Sequence, residues 1–404
     1  MPEEEKQRHS RYERDLTEGH VVKQLIVFAL PFLASNLIQS LYSVADMLIV
    51  GNFAGNISMS GVNIGSQITF ILTNIVVGLC TGGTILIAQA MGRRDRKAIE
   101  EVTATLMTTL LIAGVIITAL MIFLRVPILR LIQTPEEAFD EANRYLVVTC
   151  TGILFIFAYN VLSAVQRGMG DSKRPFYFVL IACVTNIVLD YVFTMKLGMG
   201  MFGAGLATIL GHCVAVLLYL LHFALHQNHL HLTRNFFDPA ACVRVLRNGI
   251  GSSILELSAG LIVLLFNIAL LRVSGEAAVA IFSVLSNIAY VGKGVFNGMA
   301  QAAQPILSTS YGAGRYDRVR AANRCAMTAA AIFSTVIYLI LVLCAGFIMP
   351  VFVEPSLVPM GIRAMRFYFL AFPFTGLNTV MMYAFQSLEK VRYTSVIAVL
   401  RGVV

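Results

Sequence analysis

Ten long apolar runs alternate with short polar segments along the chain, at about 22–49, 60–90, 102–124, 145–166, 175–195, 203–226, 247–271, 278–303, 325–349 and 366–388. A hydrocarbon core of about 30 Å takes about 20 apolar residues in a helix, and each run reaches that length. An eleventh run starts at Tyr393, and the sequence ends at Val404. None shows the polar–apolar alternation of a lipid-facing β-strand. The pattern predicts an all-α polytopic membrane protein.

Composition strengthens this reading. The 404 residues are 57% hydrophobic and 13% charged, with a mean hydropathy of +0.77, whereas soluble domains are nearer about 45–50% apolar and about 25% charged. A soluble enzyme is excluded. The net charge of +8 sits in the short segments between runs, so no basic face forms for nucleic acid. Seven cysteines lie singly in or beside apolar runs, without paired spacing, and read as small helix-facing residues rather than disulfides or metal ligands.

Charge placement sets the orientation, because Lys and Arg gather in cytoplasmic loops. The side that holds Lys6, Arg8, Arg11, Arg14 and Lys23 carries about three times as many as the side with Arg125, Arg130 and Arg144. The expectation is a multi-pass protein of the cell inner (plasma) membrane with a cytoplasmic N-terminus. The first apolar run is too long for a signal peptide, so the N-terminus is expected to be retained.

The two halves resemble each other. Gly78, Gly92 and Gln166 recur as Gly298, Gly312 and Gln386, each 220 residues on, and the loops GRRDRK and GAGRYDR follow equivalent helices. A duplicated six-helix unit with parallel copies follows, with a cavity between them open to either side in turn. The expected division is a cytoplasmic tail (1–20), an N-lobe of helices 1–6 (21–226), a cytoplasmic linker (227–246) and a C-lobe (247–404) of helices 7–10 and part of helix 11. The C-terminal bundle is thus expected to be incomplete.

Ionisable side chains inside apolar runs are costly and mark candidate sites. Asp46 lies toward the outward end of helix 1, where it either faces a site or reaches the interface. Asp190 follows Asn186 by one turn on the same face of helix 5, and Thr208 of helix 6 falls at a comparable depth. Two carboxylates, an amide and a hydroxyl make an oxygen-rich pocket. Na⁺ prefers oxygen ligands, and a carboxyl withdrawn from water takes up a proton more readily, so either ion fits. Glu256 of helix 7 and Lys293 of helix 8 allow two readings: an acidic site with a mobile counter-charge, or a structural pair between helices.

The histidines of HFALHQNHLHL (His222, His226, His229, His231) read as a partly solvated interfacial cluster rather than a metal site, since no carboxylate or cysteine accompanies them. No P-loop, HExxH or GxSxG stands in a suitable context, which disfavours an ATP-driven pump or a membrane enzyme.

The segments SVADMLIVGNFAG, QAMGRRDRKA, QRGMGDSKRPFYFVLIACVTNIVLDYVF, GMFGAGLAT and QPILSTSYGAGRYDRVR together resemble the multidrug and toxic compound extrusion (MATE) family, in its DinF-like prokaryotic branch. The resemblance implies two six-helix bundles and efflux of cationic amphipathic compounds in exchange for Na⁺ or H⁺. It places Asp46, Asn186, Asp190 and Thr208 in an N-lobe cation site and Asn160 as a supporting amide. Glu256 matches a helix 7 acid of other branches, while Asn378 stands where some members have a helix 10 acid. Lys293 joins these as a candidate for substrate binding, and Pro31 is the expected hinge of helix 1.

The function expected is a monomeric secondary antiporter in the lipid bilayer, exporting drugs or organic cations with no cofactor beyond the coupling ion. The alternative is a flippase of lipid-linked saccharide from the same wider superfamily. Such proteins usually line the cavity with Arg, and this chain offers Lys293 in its complete central spans.

Overall fold

In a computed structural model, residues 16–53, 55–131, 134, 136–225 and 236–403 are described. They form α1 (Val21–Phe53), α2 (Gly55–Arg93), α3 (Arg96–Leu131), α4 (Glu136–Gly168), α5 (Lys173–Asp190) and α6 (Gly200–Leu225). The segment Pro239–Gly312 is two helices, α7 and α8, that meet at Gly275 with φ 72° and ψ −165°, a backbone conformation that a side chain strains. There follow α9 (Tyr316–Leu343), α10 (Ala345–Phe352), α11 (Val358–Tyr368), α12 (Phe372–Ser387) and α13 (Val391–Val403). No strand occurs among the described residues, and eight of the described helices are long and apolar enough to cross a membrane.

Two of the apolar runs are interrupted. The 325–349 run breaks at Cys344 between α9 and α10. The 366–388 run passes from α11 through a 3₁₀ turn, Phe369–Ala371, into α12. Pro373 sits in the first turn of α12, where its missing N–H costs nothing, so it starts a helix rather than continuing one.

The chain divides into two compact units, and chain order does not coincide with them. The first gathers Ile38–Ser253; the second gathers Leu16–Leu37 with Ile254–Val404. The core of the first is built from α2, α3 and α4, through Ile87, Leu106, Leu146 and Phe157, with Ala241 and Val245 from the start of α7. That of the second is built from Phe28 and Phe32 of α1 with Ala303 and Ile306 of α8, Ala322 and Ala326 of α9, and Met382 of α12. A separate cluster joins Phe296, Met349, Phe369 and Phe372.

Small residues set the closest crossings in both units. A Cβ at Gly78 of α2 would fall 2.6 Å from the Ser253 backbone nitrogen of α7. Its counterpart Gly298 of α8 lies in the same way against α1, a Cβ there falling 2.8 Å from a Leu33 methyl.

The repeat shows again at helix ends. The end of α2 has Asp95 N donating to Ala90 O (3.0 Å) and Arg94 N to Met91 O (3.0 Å); α8 has Arg315 N to Ser310 O (2.9 Å) and Gly314 N to Tyr311 O (3.0 Å). These are paired Schellman turns, with Arg94 at φ 57° and Gly314 at φ 70°. The ends of α4 and α12 match too, Asp171 N bonding Gln166 O and Lys390 N bonding Phe385 O. There the spacing is one residue shorter, so Gln386 stands in register with Arg167. The sequence match of Gln166 with Gln386 is therefore one residue out at this turn, because the αL turn, not side-chain identity, fixes the register.

Candidate functional site

Helix α5 has two dissimilar faces. Val184 and Val188 are 53% and 54% exposed, whereas Asn186 is 4% and Asp190 0% exposed. The apolar face suits lipid, and the polar face is turned into the first unit. Across from it, α6 comes close because Gly211 has no side chain: a Cβ there would lie 3.0 Å from Ala182 O and 3.2 Å from Asn186 Cβ.

That approach joins two of the sequence-predicted residues directly. Asn186 Nδ2 donates to Thr208 Oγ1 at 3.3 Å, and Thr208 Oγ1 donates to Ala204 O at 3.1 Å. Asn186 Oδ1 is buried without a hydrogen-bond partner among the described residues. Asp190, one turn further on, is fully enclosed. The cluster therefore offers a carboxylate, an amide oxygen and a hydroxyl, the donor chemistry of a hard cation, while the carboxylate also accepts a proton.

Two neighbours were not found in the sequence. His212 lies one turn beyond Thr208, its Nδ1 2.8 Å from Thr208 O. A carbonyl only accepts, so Nδ1 is the donor. The His212 ring stands edge-on to Tyr159 of α4, centroids 5.5 Å apart. Its spacing of four from Thr208 within an apolar run was the available signal. The second is backbone: directly after Asp190 the helix widens into a π turn, Tyr191–Lys196, with Leu197 N bonded to Val192 O at 3.0 Å. Such turns often accompany functional sites, and no sequence pattern announces this one.

The remaining candidates lie on other helices. Asn160 of α4 is buried and donates to Ile156 O of its own helix at 2.8 Å. Pro31 lies inside α1, its carbonyl accepting from Ser35 Oγ at 2.8 Å. In the second unit Lys293 on α8 and Asn378 on α12 are half-buried. Asn36, the repeat counterpart of position 256, donates to Gly294 O at 3.1 Å. The Asp46 and Glu256 side chains lie outside the described residues, so neither Asp46 at the cation cluster nor the Glu256–Lys293 pair is described. His222, expected at a solvated interface, is 7% exposed and packs beside Phe178 and Phe223, since its face of α6 turns into the unit. His226, His229 and His231 lie outside the described residues.

The MatE family model matches residues 31–192 and 250–404. The chain is similar to the probable multidrug resistance protein YpnP of Bacillus subtilis, 33% identical over 213 residues that cover 53% of this chain and 48% of that protein. It is similar to YoeA of the same organism, also named a probable multidrug resistance protein, at 26% identity over 74% of this chain and 66% of the relative. DNA damage-inducible protein F of Escherichia coli is 29% identical over 49% of this chain and 43% of its own length. The chain thus spans about half the length of the first of these relatives and about two thirds of the second. Among solved structures, a MATE protein in complex with MaL6 superposes with a TM-score of 0.89 at 25% identity, covering 96% of this chain and 88% of the other. An outward-facing MATE transporter shares the fold with a TM-score of 0.91 over 98% of this chain and 88% of the other. The flippase alternative gains no support from these relatives.

Proposed function

The chain belongs to the MatE family, and from that premise we propose that it is a secondary multidrug exporter, expelling cationic amphipathic compounds in exchange for Na⁺ or H⁺. The observation that carries the proposal is the buried oxygen cluster on α5 and α6: the enclosed Asp190 carboxylate beside the Asn186–Thr208 hydrogen bond. Burying a carboxylate is costly, and a cation or proton bound beside it lowers that cost, so occupancy by the coupling ion is tied to the energy of this part of the fold. In this reading Asp46 of α1 completes the site, and α1 bends near Pro31 when the ion enters. The ion's different affinity for the two states then biases transport outward. Asn160, Glu256, Lys293 and Asn378 are assigned to supporting or substrate contacts. The protein acts as a monomer in the plasma membrane with its N-terminus in the cytoplasm.

Ethidium efflux from everted or loaded vesicles, under Na⁺ and pH gradients imposed separately, tests the proposal. One gradient should drive efflux, and Asp190→Asn and Asp46→Asn should each abolish the driven component. Undiminished transport in both variants would sink the reading.

A further inference from the structure

The second unit holds a buried cation with several hydrogen bonds. Arg318, in the first turn of α9, is 7% exposed. Its Nε donates to Leu16 O at 2.9 Å, its Nη1 to Gly19 O at 2.7 Å, and its Nη2 to Glu18 O at 3.0 Å and to Gln24 Oε1. Around it, Arg315 Nη1 donates to Thr17 O at 3.1 Å and Gln24 Nε2 to Glu18 O at 2.6 Å. Leu16 itself is 1% exposed in the core of this unit. A buried guanidinium needs its donors satisfied, and here three carbonyls just ahead of α1 and the Gln24 side chain in its first turn accept from it.

The same joint recurs in the first unit with different chemistry. Thr108 Oγ1 of α3 donates to Phe236 O at 2.8 Å, and Asp238 N donates to Thr105 Oγ1 at 3.0 Å. Residue 236 is the counterpart of Leu16 at the 220-residue offset. In each unit, then, the chain leading into a long helix is fastened to another helix of that unit, at Thr105 and Thr108 in the third and fourth turns of α3 and at Arg318 in the first turn of α9.

We propose that Arg318 is a positioning residue for transport, a dock that holds the start of α1 to α9 so that the helix bends from a fixed end. This rests on the export reading above. Leu16–Leu37 belongs to the second unit and the rest of α1 to the first, so a bend near Pro31 does work on Asp46 only when the end before it is held. Lysine cannot replace the residue, because one ammonium does not span three carbonyls that the guanidinium fork reaches together.

Hydrogen–deuterium exchange on the full chain in micelles tests the dock. In Arg318→Ala and Arg318→Lys, amides of residues 16–28 should exchange faster on the order of tenfold or more, with α3 and α4 unchanged. Ethidium efflux by the same variants should lose maximal rate while the ethidium KM stays within about twofold, since uniform binding is untouched. Should Arg318→Ala not fold, Gln24→Ala removes one strut and should give the same changes in smaller measure. Unchanged protection at residues 16–28, or lost protection with full maximal rate, overturns the proposal. A wild type that exports nothing under either gradient instead removes the export reading and the transport role together, while exchange alone still decides whether the dock exists.

Discussion

Asn186 Oδ1 is a buried acceptor without a hydrogen bond among the described residues, a condition that costs about 1–3 kcal/mol unless a ligand relieves it. Its amide nitrogen has a partner in Thr208 Oγ1, so the side chain is held with its oxygen presented. Thr208→Val keeps the shape and removes the acceptor. The variant should lose about 1 kcal/mol of stability, and its unfolding temperature should rise less than that of the wild type when NaCl is added or the pH is lowered. An equal rise in both proteins would show that Thr208 has no part in ion binding. At this scale the sequence singled out Asn186 and Thr208, which the structure joins by a hydrogen bond, because polar residues in an apolar run are costly and rare. His212 was not singled out, although it stands one turn from Thr208 on the same helix.

At the scale of the element, helix existence followed from apolar length, and helix crossings followed from glycine. The α2–α7 crossing in the first unit is the tightest case: a Cβ on Gly249 would lie 2.6 Å from Leu79 Cα. The neighbour is main chain, so it cannot rotate away as a side chain would. Gly249→Leu should therefore separate the helices and cost about 1–3 kcal/mol, measured as a lowered melting temperature of the purified protein in detergent. A melting temperature equal to that of the wild type would mean that the crossing relaxes freely. Internal repetition pointed to Gly78 and Gly298 as equivalent, and both do sit at crossings. The π turn after Asp190 was not legible, because hydropathy along an apolar run does not register where a helix widens from α to π geometry. Nor were the breaks in the 325–349 and 366–388 runs, since hydropathy does not distinguish one long helix from two short ones in line.

At the scale of the whole molecule, the loop charges give the orientation its physical basis, and they yield a direct prediction. A tag ahead of residue 16 should react with a membrane-impermeant reagent in everted vesicles and be protected in intact cells; the reverse pattern would invert the proposed topology. Sequence alone determined the all-α membrane class and the family, and it singled out the polar residues Asn186, Asp190 and Thr208 on helices 5 and 6. These follow from local terms: the cost of placing polar groups in hydrocarbon, the length needed to span it, and residue spacing along a helix. Only the tertiary structure decided that Leu16–Leu37 packs with residues 254–404 while 239–253 packs with the first unit, and that Arg318 closes on the chain ahead of α1. The reason is that hydropathy is counted along the chain, whereas packing depends on which faces meet. Arg318 contacts residues some 300 positions away, and nothing local in its loop distinguishes it from the solvated arginines beside it.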